Sequence, residues 1–125
     1  HWDVIEGQGS LFHPAYAGVS LGLLHGSQPD ALVLCHAAGR SHLHGLPGFA
    51  TPSLASAIDA YLQAARLTNP AVRCIGVSID SSSLDDAAWR FYRERLCTEL
   101  ELPVADPLRG GVEELSRVLI QQWSA

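Results

Sequence analysis

Residues 3–16, DVIEGQGSLFHPAY, carry the side chains best suited to chemistry. An acid, Glu6, follows a short apolar pair, Val4 and Ile5, and opens a turn with Gly7, Gln8, Gly9, Ser10 and, before Pro14, His13. An acid and a glycine turn directly after a strand is how open α/β sheets present polar groups at strand carboxyl ends, where ligands bind. Glu6 is a candidate metal-bound carboxylate or base, and glycines at Gly7 and Gly9 would let the backbone approach a ligand. The alternative is a tight strand-to-helix turn that needs glycine, with Glu6 capping the next helix.

Three more loops are richer in polar groups than plain connections. Residues 36–44 hold His36, directly after Cys35, then Arg40, His42 and His44. An HxH pair can bind Zn²⁺ through neutral imidazoles, but this spacing fits no closed structural site and the loop has no carboxylate. Arg40 and His42 are therefore read as candidate substrate or phosphate contacts, or as part of a solvated loop. Residues 78–82 end an apolar run with Asp80, Ser81 and Ser82. Asp80 would contact a ligand or, with Ser82, cap the next helix. Residues 106–110 place Asp106 and Arg109 just before a helix start. Exposed N–H groups there favour an anion, and arginine grips carboxylate or phosphate with two bonds. The alternative is a surface pair between Asp106 and Arg109. His25 and Asp30 read as structural. No GxSxG, HExxH or GxGxxG pattern occurs, and without lysine there is no GxxxxGK[ST] loop.

These loops need a frame. Four apolar runs, at residues 4–5, 31–35, 72–79 and more weakly 103–105, read as strands, and none alternates cleanly, as expected when both faces are covered. Helical patterns fall between them. Residues 14–25 are rich in small side chains. Thr51 and Pro52 read as a helix cap and first-turn proline, followed by a stripe of Leu54, Ile58, Tyr61, Leu62 and Ala65. Residues 83–86 resemble a capping box ahead of Leu84, Ala88, Tyr92, Leu96 and Leu100. Gly110 and Gly111 precede a last helix with Val112, Leu115, Leu119 and Trp123. Strand and helix alternate throughout, which predicts an α/β three-layer sandwich with a mostly parallel sheet. All strand carboxyl ends would then open on one edge and bring the four loops together. Residues 39–48 form the only long loop.

Composition sets the outer limits. At 125 residues with 47 % hydrophobic and 17 % charged residues, the chain reads as a single α/β domain, residues 1–125. A net charge of −5 argues against general nucleic-acid binding, which needs clustered cations. All eight basic residues are arginines, clustered only at Arg90, Arg93 and Arg95. No apolar run approaches membrane-spanning length, and no leader-like segment is visible. A cytoplasmic protein is expected, with Cys35, Cys74 and Cys97 as buried, reduced thiols. Beginning inside a strand with no initiator methionine, the chain reads as the C-terminal fragment of something longer.

The run IEGQGSLFHPAYAGVSLGLLHGSQPDALVLCHAAGR, continued by GVSIDSS and LPVADPLRGG, resembles the C-terminal domain of a family long called a domain of unknown function and now described as D-glutamate N-acetyltransferase-like. The resemblance implies a Rossmann-like N-terminal domain followed by a P-loop-type domain, of which this chain is the second half. IEGQGS is also similar to the VEGAGG segment of dethiobiotin synthetases, which puts Glu6 near a metal or phosphate and turns Asp80 and Arg109 toward a ligand. The family commonly has Asn at the position of Asp80. The implied reaction moves an acetyl group from acetyl-CoA to the amine of an acidic amino acid. It needs a base, donors for the oxyanion and cations for the substrate carboxylates. His13 is the base candidate, the N–H groups of residues 7–10 the donors, and Arg40 and Arg109 the cations. Two other readings stay open: a Mg-nucleotide-dependent ligase or kinase, and a non-catalytic fragment at an oligomer interface. An isolated fragment is expected to be inactive. The exposed sheet edge implied by an incomplete first strand predicts a homo-oligomer, with a small-molecule substrate and neither nucleic acid nor membrane as partner.

Overall fold

A computed structural model of the chain describes residues 1–7 and 9–123. The elements run α1 (Ala17–Ser27), β1 (Ala31–Ala37), β2 (His42–Leu43), β3 (Leu46–Ala50), α2 (Leu54–Ala65), β4 (Arg73–Asp80), α3 (Asp86–Leu100), β5 (Val104–Ala105) and α4 (Val112–Trp123). They group into two compact units. The first holds His1–Asp30 and Ser41–Arg73, and the second holds Ala31–Arg40 and the chain from Cys74 onward. No described helix is long and apolar enough to cross a membrane.

The second unit is built on a sheet of order β1-β4-β5. β4 and β5 run parallel, with Val77 opposite Val104 and Ser78 opposite Ala105. β1 and β4 share that direction at their carboxyl ends, where the Ala38 N–H donates to the Asp80 carbonyl at 2.9 Å. The central strand is nearly continuously apolar because both its faces are covered: Ile75, Val77 and Ile79 are buried, and Val104 and Ala105 lie fully buried beside them. α3 and α4 both pack against β5. Gly76 allows α4 to sit close. A Cβ there would overlap Leu115 Cδ2 and lie 2.8 Å from the Pro103 carbonyl oxygen.

α3 starts on Asp85, whose carboxylate accepts the Ala88 N–H at 2.8 Å. The capping box expected at residues 83–86 does not form. Ser83 turns away to donate its hydroxyl to the Ala38 carbonyl at 3.0 Å, so the first carboxylate able to reach the helix amides takes the cap. The helix buries Trp89 and Leu96, on the face that the Ala88, Tyr92 and Leu96 spacing indicates.

In the first unit α1 packs on α2. His25 Nε2 contacts the Ala64 carbonyl at 2.7 Å. The Asn69 side-chain amide donates to Asp30 Oδ1 and to the Pro29 carbonyl, each at 3.0 Å. His25 and Asp30 are thus structural, as expected. α2 begins two residues later than Thr51 and Pro52 suggest, on Ser53, whose hydroxyl accepts the Ser56 N–H at 3.1 Å. Two other expectations change. Residues 4–5 form no strand; Val4 is 96 % and Ile5 53 % exposed, and an apolar pair with no ladder partner has nothing to hold it extended. The long loop at residues 39–48 contains an antiparallel hairpin, β2 with β3, pairing His42 with Ala50 and Leu43 with Leu46 around Gly45 at φ 73°.

Candidate functional site at the carboxyl edge of the sheet

Strands β1, β4 and β5 deliver three polar loops to one edge of the second unit. Asp106, just after β5, is only 4 % exposed, and Ser81, just after β4, is fully buried. The Asp106 carboxylate accepts the Ser81 hydroxyl, the Ser81 N–H at 3.1 Å and the Leu108 N–H at 2.8 Å. Burial pushes the Asp106 carboxyl upward. The Ser81 hydroxyl and the two backbone donors, helped by the Arg109 charge, more than offset this and hold it below the usual carboxylate range. Asp106 is therefore an ionised, internally satisfied latch between two loops, and the surface pair with Arg109 does not form. Ser81 is sealed from any substrate, so its bond to a carboxylate braces the loops rather than activating a nucleophile.

Arg109 reaches sideways, donating through Nη2 to the Leu84 carbonyl at 2.8 Å and placing Nη1 3.3 Å from Asp86 Oδ1. It ties the β5 loop to the start of α3, and a substrate carboxylate would compete with these contacts. Asp80, at the tip of β4, is exposed and accepts the Ser82 N–H at 3.0 Å. That bond and the Ser82 side chain hold its carboxyl below the usual range, with the Arg40 charge adding to them. Asp80 and Ser82 form this local turn and leave the α3 cap to Asp85. Half-buried His36, on β1, has its imidazolium disfavoured first by burial and then by Arg40, so the ring is neutral at pH 7.

The remaining candidates lie in the first unit, apart from Gln8, which lies outside the described residues. Glu6 is exposed. Gly7 and Gly9 have a local reason to be glycine: a Cβ at Gly7 would lie 2.8 Å from Leu23 Cδ2, and one at Gly9, where φ is 86°, would lie 2.7 Å from Tyr16 Cβ. Ser10 closes its own turn, its hydroxyl accepting the Phe12 N–H at 3.2 Å. His13 Nδ1 accepts the Ala15 N–H at 3.2 Å, and the ring packs 4.7 Å from that of Tyr16. A neutral imidazole accepting at Nδ1 carries its proton on Nε2. In this arrangement His13 offers a donor at Nε2, and acting as a base requires the Ala15 bond to open. His42 lies on the hairpin, its Nδ1 2.9 Å from Ser41 Oγ. Among the described residues no group of three or more His, Cys, Asp or Glu side chains is placed to hold a metal ion.

The sequence reading passed over Ser81 as a site residue, as well as Ser83 and Asp86. The available signal was three successive serines after a strand-ending acid, a density of hydroxyls beyond what one helix cap uses. Cys35 also differs from expectation. It is exposed, while Cys74 and Cys97 are partly buried, and all three are free thiols.

A parallel sheet with polar, serine- and glycine-rich loops at its carboxyl edge defines an open α/β domain. The sequence pattern of the DUF1611 C-terminal P-loop domain, a domain of unknown function, matches residues 1–116, and the chain belongs to this family. It is 53 % identical over 115 residues to a protein of a Pseudoalteromonas species named D-glutamate N-acetyltransferase, a match covering 92 % of this chain and 35 % of the relative. A protein of the same name from Tritonibacter scottomollicae is 43 % identical over 115 residues, covering 92 % of this chain and 34 % of its own length. The crystal structure of a DUF1611 family protein from Anabaena variabilis aligns with TM-score 0.85 and 34 % identity, covering 94 % of this chain and 34 % of that one. The chain thus spans about a third of the length of these relatives.

Proposed function

We propose that this domain serves an N-acetyltransferase that moves the acetyl group of acetyl-CoA to the amine of an acidic amino acid, D-glutamate foremost. The observation that carries this reading is the identity of 53 % to a protein named for that activity, over nearly the whole of this chain. A base takes one proton from the substrate ammonium, the freed amine adds to the thioester carbonyl, and as the intermediate collapses the second amine proton passes to the departing CoA sulfur, which leaves as the thiol. The chain offers Arg40 as the cation for a substrate carboxylate, and the N–H groups of Gly7, Gly9 and Ser10 for the developing oxyanion or a phosphate. His13 is the base candidate, once Nδ1 is released. The upstream two-thirds of the protein, with its Rossmann-like domain, would complete the site, and the active species is proposed to be a homo-oligomer.

A second reading, a Mg-nucleotide-dependent ligase or kinase, is favoured by the P-loop character of the family, with Glu6 near the metal. The two readings share a requirement, because CoA itself ends in a phosphorylated adenosine diphosphate. Calorimetric titration of acetyl-CoA and, separately, Mg-ATP into the full-length protein separates them. Heat with acetyl-CoA alone is the expected result. Heat with Mg-ATP, lost in Glu6→Ala, would reverse the ranking.

A further inference from the structure

We propose that the outward face of α1 is a docking surface, covered in the full-length protein by a helix from the upstream part of the same polypeptide. Its role does not depend on the reaction proposed above. α1 carries no Asp, Glu, Lys or Arg, and its Leu, Val, Ala and Gly residues lie on every side. That pattern belongs to a helix enclosed by protein. α2 packs against one face: Leu24 is buried, and Ala17, Ser20 and Ser27, spaced to share its side of the helix, are half-buried. Among the described residues the opposite face is bare. Val19 is 67 % exposed there, with Leu21 and Leu23 exposed on its flanks. Down the middle of this face run Gly18, Gly22 and Gly26, four residues apart. Each weakens the helix relative to alanine, and the causes that fix glycine elsewhere in the chain are missing. None of the three sits at positive φ. A Cβ at Gly7, Gly9 or Gly76 would collide with a neighbour, whereas one at Gly18, Gly22 or Gly26 would meet nothing within 4 Å beyond the helix's own backbone. A smooth glycine track between apolar flanks admits a second helix closer than the usual axis spacing of about 8–10 Å.

What covers this face follows from how the chain reaches it. Residues 7 and 9 lie against α1: a Cβ at Gly7 would be 2.8 Å from Leu23 Cδ2, and one at Gly9 would be 3.5 Å from Ser20 Oγ. The polypeptide before them therefore arrives along a flank of the bare face. Trp2, Val4 and Ile5, each more than half exposed, add apolar surface on that approach. About two-thirds of the length of each relative lies outside the matched segment, and the family domain matched here is the C-terminal one. Upstream chain tethered at His1 meets α1 at a high effective concentration, which favours it over a second copy. A lipid surface is the poorer match, because α1 lacks the Lys and Arg that flank membrane-surface helices.

The test uses the full-length protein. The photo-reactive residue p-benzoylphenylalanine replaces Val19, the protein is irradiated, and the mass and cross-linked peptide of the product are determined. The expected product has the mass of one chain, with position 19 joined to a peptide from upstream of His1. A product of doubled mass gives the face to a second copy, and no cross-link leaves it bare; either overturns the proposal. Thermal melting of Gly22→Ala supplies a second reading without a bulky residue. On a bare helix face alanine strengthens the helix and raises the melting temperature. Against a closely packed helix the added methyl overpacks the contact and should lower the melting temperature by about 2 °C or more. A melting temperature that rises or stays unchanged overturns the docking surface.

Discussion

Asp106 shows how a single side chain can mislead a sequence reader and still matter. An acid beside an arginine, ahead of a helix, has the composition of an anion-binding loop, yet three internal donors take up this carboxylate. A linear sequence does not reveal that Ser81, in the loop after a different strand, will supply two of them. Asp106→Asn replaces an ionised acceptor in a buried site, so a stability loss of about 2 kcal/mol is expected in urea unfolding. Thr51 gives the opposite case. Its hydroxyl is buried with no hydrogen-bond partner among the described residues, so Thr51→Val should be neutral within about 0.5 kcal/mol or stabilising. The cysteines were expected to be uniformly buried. With Cys35 exposed and the Cys74 thiol pushed up in pKa by burial, Cys35 should react with a thiol-specific disulfide reagent well before Cys74. Equal rates would contradict this placement.

At the scale of elements, most of the frame was legible. Apolar runs located β1, β4 and β5, small side chains marked α1, and apolar stripes located α2 to α4, because burying one face of an element imposes such patterns directly. Helix starts were less legible. Both Thr51 and Ser53 have cap chemistry, as do Ser83 and Asp85, and the choice depends on which side chain tertiary contacts leave available. Ser83 is drawn to Ala38, so Asp85 caps α3. Ser53→Ala and Asp85→Ala should each cost about 1 kcal/mol, measured by denaturant unfolding, and Thr51→Val should not reproduce the Ser53 effect. Residues 4–5 were misread because an apolar pair before glycine is locally indistinguishable from a strand end. The β2–β3 hairpin was missed because a two-residue strand carries no periodicity. Of the candidate site, the convergence of the 36–44, 78–82 and 106–110 loops was legible for Arg40, Asp80 and Asp106, which the second unit brings to one edge. Glu6, Gly7, Gly9, Ser10, His13 and His42 belong to the other unit, and nothing in their spacing announced that division.

For the whole molecule, acid sensitivity follows mainly from His36 and Asp106, whose shifts have the same sign; Asp80 is shifted the same way but is exposed to solvent, which screens its contribution. The folded pKa of Asp106 is depressed. Its contribution is present above the unfolded value of about 3.9 and is lost as pH falls through the folded value. His36 is depressed from about 6.5 by burial and by Arg40, so the unfolded chain takes up its proton first and stability declines as pH drops below about 6.5. Thermal unfolding between about pH 8 and 3 should show both losses. His36→Gln should flatten the upper window and Asp106→Asn the lower one. The same scale holds the functional claim, since this chain spans about a third of its relatives and is proposed to work only with the remainder. The most direct test is D-glutamate-dependent release of the CoA thiol by the full-length protein, with the product resolved by chromatography. Saturable release that yields N-acetyl-D-glutamate without ATP is the expected result. No release, or turnover that appears only with Mg-ATP, would contradict the account.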